Sequence, residues 1–314
     1  MAFLRLIPDD TRIPFMRGRI IGLATSAFLS VASMILFFHP GLNYGIDFAG
    51  GILMEVRTPE PADFPTLRHV VAQQDVGQAS LQEFGSPQDV IVRLPRQPGP
   101  EAAQQQAVAK VRGALEQAVP GLQLRRVESV GASVSEELFR DGMTALGLAM
   151  LAMLVYIWFR FEWQFGAGAV VTLALDVTKV VGFYVVTQLP FNLTSIAAIL
   201  TIMGFSINDK VVVYDRVREN LRKYKSMPLR QLIDLSINET LNRTVGTSIT
   251  IFLSALPLVL FGGEALREFS IVTLVGLVIG TTSSIFIAAP ILLFLGEHKL
   301  RRNAAPAAEG AALR

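Results

Sequence analysis

The 314-residue sequence contains no cysteine. Disulfides, thiolate zinc sites, iron–sulfur clusters and cysteine nucleophiles are therefore excluded. Histidine is scarce: His39, His69 and His298 lie far apart, and none has a second histidine at helical spacing. No metal motif follows from them. No stretch matches GxxxxGK[ST], which removes a P-loop nucleotide as a local energy source. Charge is also thin, at 17% of residues, where soluble globular chains carry about 25%. The net charge of +2 is too small for the chain as a whole to bind nucleic acid. Neither a cofactor nor an enzymatic activity is expected.

Long uncharged runs fill the space that charge leaves; 51% of the residues are apolar. Runs of this length mark a polytopic membrane protein. Six spans are predicted, at 20–38, 143–159, 163–187, 193–214, 241–261 and 269–295. The first is too long for a signal-peptide core and lacks a small-residue cleavage pattern after it, so it reads as a retained anchor. Loop charge sets the orientation. Arg5, Arg12, Arg17 and Arg19 precede the first span, and Arg160 follows the second. Arg216, Arg218, Arg222, Lys223, Lys225 and Arg230 follow the fourth; Lys299, Arg301, Arg302 and Arg314 follow the sixth. The loops between, 188–192 and 262–268, hold only Arg267. The positive-inside rule then places the tails 1–19 and 298–314 in the cytoplasm of a bacterium, with the chain crossing its inner membrane and residues 39–142 in the periplasm. The last residues, 303–314, are Ala-rich and read as disordered.

Residues 39–142 alone look soluble. Strand patterns at 51–58, 79–84, 89–94 and 122–130 alternate with helical patterns at 64–74 and 100–119. Breakers fall at Gly85-Ser86-Pro87, from Pro95 to Pro100, and at Pro120-Gly121. The order βαββαβ predicts a ferredoxin-like α+β domain. That fold hosts many activities and by itself names none.

Charges inside the spans carry the functional signal. Asp209 interrupts the fourth span, where a carboxylate costs at least ~2.5–3.5 kcal/mol on insertion scales. It is either a group that takes up and releases a proton or a static ion pair or helix cap near the interface. Arg243, about one turn into the fifth span, reaches a similar depth. It is either a partner of Asp209 that gates without titrating or an arginine snorkelling to headgroups. Asp176 and Lys179, three apart in the third span, share a helix face and can pair. They form a structural ion pair or a second relay element. Lys210 points away from Asp209 and could answer Asp176 across helices. Gly276, Gly280, Ser283 and Ser284 form a small-residue face suited to close helix packing. Gly45, Gly50 and Gly51 are expected to turn the chain from the first span into the soluble domain. Pro190, Pro257 and Pro290 fall near span ends and read as structural.

Several longer motifs occur in order: NYGIDFAGG at 43–51, VESVG at 127–131, SEEL at 135–138, GFSINDKVVVYDRVREN at 204–220, SINETLNRT at 236–244 and FGG at 261–263. Together with Gly276 and GTTSSI at 280–285 they resemble the SecF branch of the SecD/SecF family, which belongs to the RND superfamily. Two positions depart from the family pattern: Ala132 where a proline is expected, and Lys210 where a less charged residue is expected. The resemblance implies a six-helix half-bundle with one periplasmic domain, using the proton-motive force to promote preprotein export. It implies as partners a SecD-like subunit, the SecYEG translocon, YajC, unfolded preprotein and the lipid bilayer. It also implies proton coupling at Asp209, Arg243 and Asp176, with Asn208 orienting its neighbour and Lys179 and Lys210 as candidate modulators. The rival reading is a proton-coupled small-molecule exporter subunit of the same superfamily; a purely structural scaffold is the other.

Overall fold

The computed structural model describes residues 8, 11–99 and 101–294. The tail predicted over 298–314, with its basic residues, and the final residue of the predicted sixth span lie outside the described residues. The chain divides into two compact units, one of them Asn43–Ala145 with Pro190–Leu193.

That unit holds a four-stranded antiparallel sheet. After helix α1 (Arg19–Phe38) come the single-turn helix α2 (Ile46–Ala49), strand β1 (Gly51–Arg57) and helix α3 (Phe64–Ala72). Strands β2 (Ser80–Phe84) and β3 (Ser86–Leu94), helix α4 (Glu101–Ala118) and strand β4 (Gln123–Val130) follow. The sheet order β2-β3-β1-β4, with every neighbouring pair antiparallel, is the ferredoxin-like arrangement. Alternation explains the core. Ile52, Met54 and Val56 of β1 and Val90, Val92 and Leu94 of β3 share one face, where Leu67 and Val71 of α3 and Val111 and Leu115 of α4 cover them. Arg125 is the extra residue of a β-bulge opposite Glu55/Val56, and its guanidinium lies 3.9 Å from Glu55 and 3.7 Å from Asp89.

Two local expectations change. The β2–β3 reversal needs only Gly85, at φ +70°, so Ser86 and Pro87 belong to β3 instead of interrupting it. Pro87 costs nothing there because it lies beyond the part of β3 that pairs with β1, and its carbonyl accepts from Ala62 N at 2.8 Å. At the entry to β1, Gly50 (φ +70°) and Gly51 (φ +120°) make the turn, whereas Gly45 is extended. Gly45 is small for a different reason: a Cβ there would sit 3.1 Å from Asn192 Cβ. The 43–45 and 191–193 segments are laced together, with Phe191 N donating to Asn43 O at 2.7 Å and Gly45 N to Phe191 O at 2.9 Å. Asp47 accepts from Leu193 N at 3.1 Å. Tyr44, Phe48, Phe139 and Phe191 form a ring cluster beside this joint.

Gly51 gives a direct test. A Cβ at this position would lie 2.5 Å from Leu94 O, and the backbone angle disfavours any L side chain. Gly51→Ala is expected to destabilise this domain by about 3 kcal/mol, measured as a shift in its denaturation midpoint.

The second unit contains most of the long helices. Six helices are long and apolar enough to cross a membrane. Besides α1 they are α5 (Ala132–Arg160), α6 (Trp163–Thr187), α7 (Leu193–Lys223), α8 (Leu229–Phe261) and a last one built in three parts. Those parts are α9 (Glu264–Ser283), a π-helical turn (Ser284–Ala288) and α10 (Ala289–Phe294). Helices α5, α7 and α8 run well past the predicted apolar spans because polar residues continue the same helices. On the α7 extension, Arg216 pairs with Glu239 at 2.8 Å and Asn220 donates to Ser236 Oγ at 3.0 Å, which binds it to the start of α8. Pro290 has no N–H to give the Phe286 carbonyl and would crowd it, and the wider π turn before it relieves that conflict. Pro257 lies inside α8.

Small residues set the helix spacing. Ser26, Ser30 and Ser33 make the buried face of α1, and Ser33 abuts Gly182 of α6. Gly276 of α9 abuts Ile202 of α7, and a Cβ on Gly280 would lie 3.2 Å from Ser206 Cβ. The predicted small-residue face of α9 therefore packs on α7.

Candidate functional site

The close approach of α9 to α7, and of α1 to α6, places a buried polar centre inside the second unit. Asp176, on α6, is its hub, with a side chain 1% exposed. Its Oδ2 accepts from Lys210 Nζ at 2.8 Å, Ser206 Oγ at 2.7 Å and Ser283 Oγ at 2.9 Å. Its Oδ1 accepts from Lys179 Nζ at 3.1 Å. Lys179 also donates to Ser26 Oγ on α1 at 3.2 Å. Lys210 is as buried as Asp176 and turns back along α7 to the carbonyl of Ser206, at 3.3 Å, and to its hydroxyl. Three helices, α6, α7 and α9, thus converge on one carboxylate that holds two ammonium groups, and α1 joins them through Ser26 and Lys179. Leaving any of these groups unpaired would be costly in a low-dielectric interior.

Asp209 is separate from this network. It is buried on α7, and among the described residues its side chain makes no hydrogen bond and no ion pair. The cations whose charge acts on it are Lys210 and Arg243. Arg243, on α8, is exposed and forms no ion pair with Asp209. Asn208 does not orient Asp209. It is exposed, on another face of α7, and the two side chains share no hydrogen bond among the described residues. Consecutive helical residues diverge too far around the axis to assist each other in this way.

The predicted residues therefore separate into two groups. Asp176, Lys179 and Lys210 come together, whereas Asp209, Arg243 and Asn208 do not touch. Ser26, Ser206 and Ser283 were not anticipated as partners. Ser206 carried a usable signal, one turn before Lys210 on the same face. Ser26 and Ser283 meet the site only through helix packing and had none. Near the end of α7, the charged residues form real contacts: Arg216 with Glu219 at 2.7 Å, Arg218 with Glu162 at 3.7 Å, and Arg160 with Asp215. Among the described residues no cluster of acids and histidines could hold a metal ion.

Comparison with known proteins accounts for this combination of bundle and domain. Residues 110–298 match the family model "Protein export membrane protein SecD/SecF, C-terminal", and residues 35–58 match the SecD/SecF GG motif, which covers Gly50 and Gly51. The protein translocase subunit SecF of Rickettsia rickettsii is 44% identical over 276 residues, covering 88% of this chain and 89% of the relative. The protein translocase subunit SecDF of Brucella abortus is 42% identical over 276 residues, which are 88% of this chain and 36% of that one. The crystal structure of SecDF, a translocon-associated membrane protein from Thermus thermophilus, superposes with a TM-score of 0.82 at 33% identity and covers 92% of this chain. The chain spans only 39% of that structure's length. With a relative this similar over most of its length and a family model matching most of the sequence, the chain belongs to the SecD/SecF family of protein export membrane proteins.

Proposed function

We propose that this multi-pass membrane protein is the SecF-like half of a proton-driven protein-export device. Paired with a SecD-like subunit in the bacterial inner membrane, it uses the proton-motive force to promote passage of unfolded preprotein delivered by the SecYEG translocon, with YajC as a further associated subunit. Both termini face the cytoplasm and the four-stranded domain faces the periplasm. The relatives named SecDF support the pairing, because there this half occupies 36% of a longer chain. Burial supports it as well. The apolar window of α7 is 56% buried, whereas that of α8 is 6% buried, which leaves α8 to be covered by lipid or by a second half-bundle.

The observation that carries the proton role is Asp209, an acid buried within a membrane helix and, among the described residues, with no hydrogen bond or ion pair to fix its charge. Such an acid can change protonation without breaking the bundle, whereas Asp176 cannot. Arg243 stays charged and biases that change without carrying the proton. One proton driven through a 100 mV potential delivers ~2.3 kcal/mol, enough to shift a two-state domain equilibrium by tens of fold.

The test uses inverted membrane vesicles in which preprotein translocation is started, halted by removing ATP, and then driven by an imposed proton-motive force. Vesicles lacking this chain are expected to complete translocation about tenfold more slowly or worse. Equal completion with and without the chain contradicts the proposal.

A further inference from the structure

The flank of the bundle carries an apolar crevice that the export reading leaves without a role. It is a cavity of about 380 Å³ between α1, α6 and the α9–π segment, with Gly18, Ile21 and Leu29 of α1 along one wall and Ile279, Phe286 and Ile287 along the other. Ile21 and Leu29 are exposed, so the crevice opens on the side of the bundle. Lys179 of α6 borders it, with a side chain 8% exposed. Among the described residues its ammonium donates to Asp176 Oδ1 at 3.1 Å and to Ser26 Oγ at 3.2 Å.

The dimensions of the crevice select its occupant. The wall from Gly18 to Leu29 rises ~16 Å at 1.5 Å per residue, about the depth of one leaflet of a ~30 Å hydrocarbon core. Spread over that length, 380 Å³ leaves a mean cross-section of about 24 Å², whereas a helix about 10 Å across needs about 80 Å². A partner's helix cannot enter such a space, but an extended hydrocarbon chain one methylene wide can. Charge narrows the choice further. Arg17 and Arg19 stand on either side of Gly18, at the end of α1 that meets the membrane surface, and among the described residues neither forms an ion pair. Arg19 donates to the Met16 carbonyl at 3.1 Å. The acid beside this segment, Asp234, accepts from Met16 N at 2.8 Å and has Arg230 as its nearby cation. Two arginines without a counter-ion at the surface end of an apolar groove match a phosphate at the head of an acyl chain.

We infer that this crevice holds one anionic phospholipid of the surrounding leaflet, with its phosphate on Arg17 and Arg19 and one acyl chain laid along α1 as far as Leu29. The site stands independently of any proton role for Asp209. A zwitterionic lipid offers the same chain, but its own ammonium opposes the arginines, so the anionic headgroup is preferred. The bound chain covers the side on which Lys179 borders open space. It thereby keeps water from the Lys179–Asp176 pair, whose attraction weakens as the local dielectric rises. It also bridges α1 to the α9–π segment over a length where the two leave a gap.

The test places a tryptophan in the crevice. The full chain carries Trp158→Phe and Trp163→Phe, both at exposed positions, and Leu29→Trp is compared with Phe28→Trp. Phe28 is exposed at the same depth on α1 but does not line the crevice. The protein is reconstituted in phosphatidylcholine vesicles in which about one lipid in ten is phosphatidylglycerol with brominated acyl chains, which quench tryptophan on contact; a preference of about tenfold for the anionic lipid predicts quenching about half complete at position 29 and about a tenth complete at position 28. Arg17→Gln together with Arg19→Gln is expected to bring position 29 down to the level of position 28. Equal quenching at the two positions overturns the inference and leaves ordinary boundary lipid. Selective quenching that survives the loss of both arginines overturns it as well. A photo-activated cross-linker at position 29 in living cells tests the intact assembly. An adduct with the mass of a phospholipid is the expected result, and an adduct to protein assigns the crevice to a neighbouring subunit and overturns the lipid site.

Discussion

Asp176→Ala is expected to destabilise the helical bundle by about 3–5 kcal/mol and to lower the amount of chain in the membrane several-fold. The acid is the common acceptor for Lys210, Lys179, Ser206 and Ser283. Without it two ammonium groups lose their counter-charge, and Lys210, 1% exposed, has no path to water. Breaking a buried ion pair from one side is far more damaging than replacing both partners, because the survivor keeps its desolvation cost and loses its attraction. The double change Asp176→Asn with Lys210→Met is therefore expected to recover most of the loss. Its single remaining ammonium, on Lys179, keeps Ser26 Oγ as an acceptor and borders a cavity of about 380 Å³ lined by α1 and α6 residues. Thermal melting of the purified chain measures both effects. A stable Asp176→Ala chain would mean that the lysines are neutral or that the network is not the keystone of the bundle.

The fold was legible wherever one physical signal dominated. Uncharged runs marked the membrane helices, and alternation of apolar residues marked the four strands, since one face of that sheet is buried under two helices. Helix ends were less legible. The polar extension of α7 to Lys223 is held by pairing with α8, and hydropathy cannot register such pairing. Pro87 looked like a breaker because its missing donor matters in a central ladder, and it lies where the strand has no such ladder. In the site, i,i+3 spacing gave Asp176–Lys179, and opposed helix faces gave Lys210–Asp176 as an option. Ser283 sits far from Asp176 in sequence and reaches it only because Gly280 and Gly276 let α9 approach α7. The pairing of Asn208 with Asp209 failed for a geometric reason: adjacency in a helix separates side chains.

Asp209→Asn is expected to reduce precursor export about tenfold or more while leaving the chain itself intact. Asparagine has nearly the shape of aspartate, and at this position no hydrogen bond or ion pair among the described residues depends on the charge. Removing an unpaired carboxylate from a membrane helix also lowers its insertion cost. The variant should therefore be made, inserted and as stable as the parent, and what it lacks is the ability to exchange a proton. Asp209→Glu retains that ability, and is expected to keep a measurable part of the export rate. This contrast separates the two buried acids: loss of Asp176 is expected to lower the amount of protein, and loss of Asp209 to lower its work at an unchanged amount. The most direct measurement is the conversion of a secreted precursor to its mature form in cells whose only copy carries Asp209→Asn, with the membrane level of the chain quantified in the same samples. Accumulated precursor at a normal chain level is the result this account predicts. Normal export at a normal chain level would contradict it, because a permanently neutral side chain at position 209 would then be sufficient for function.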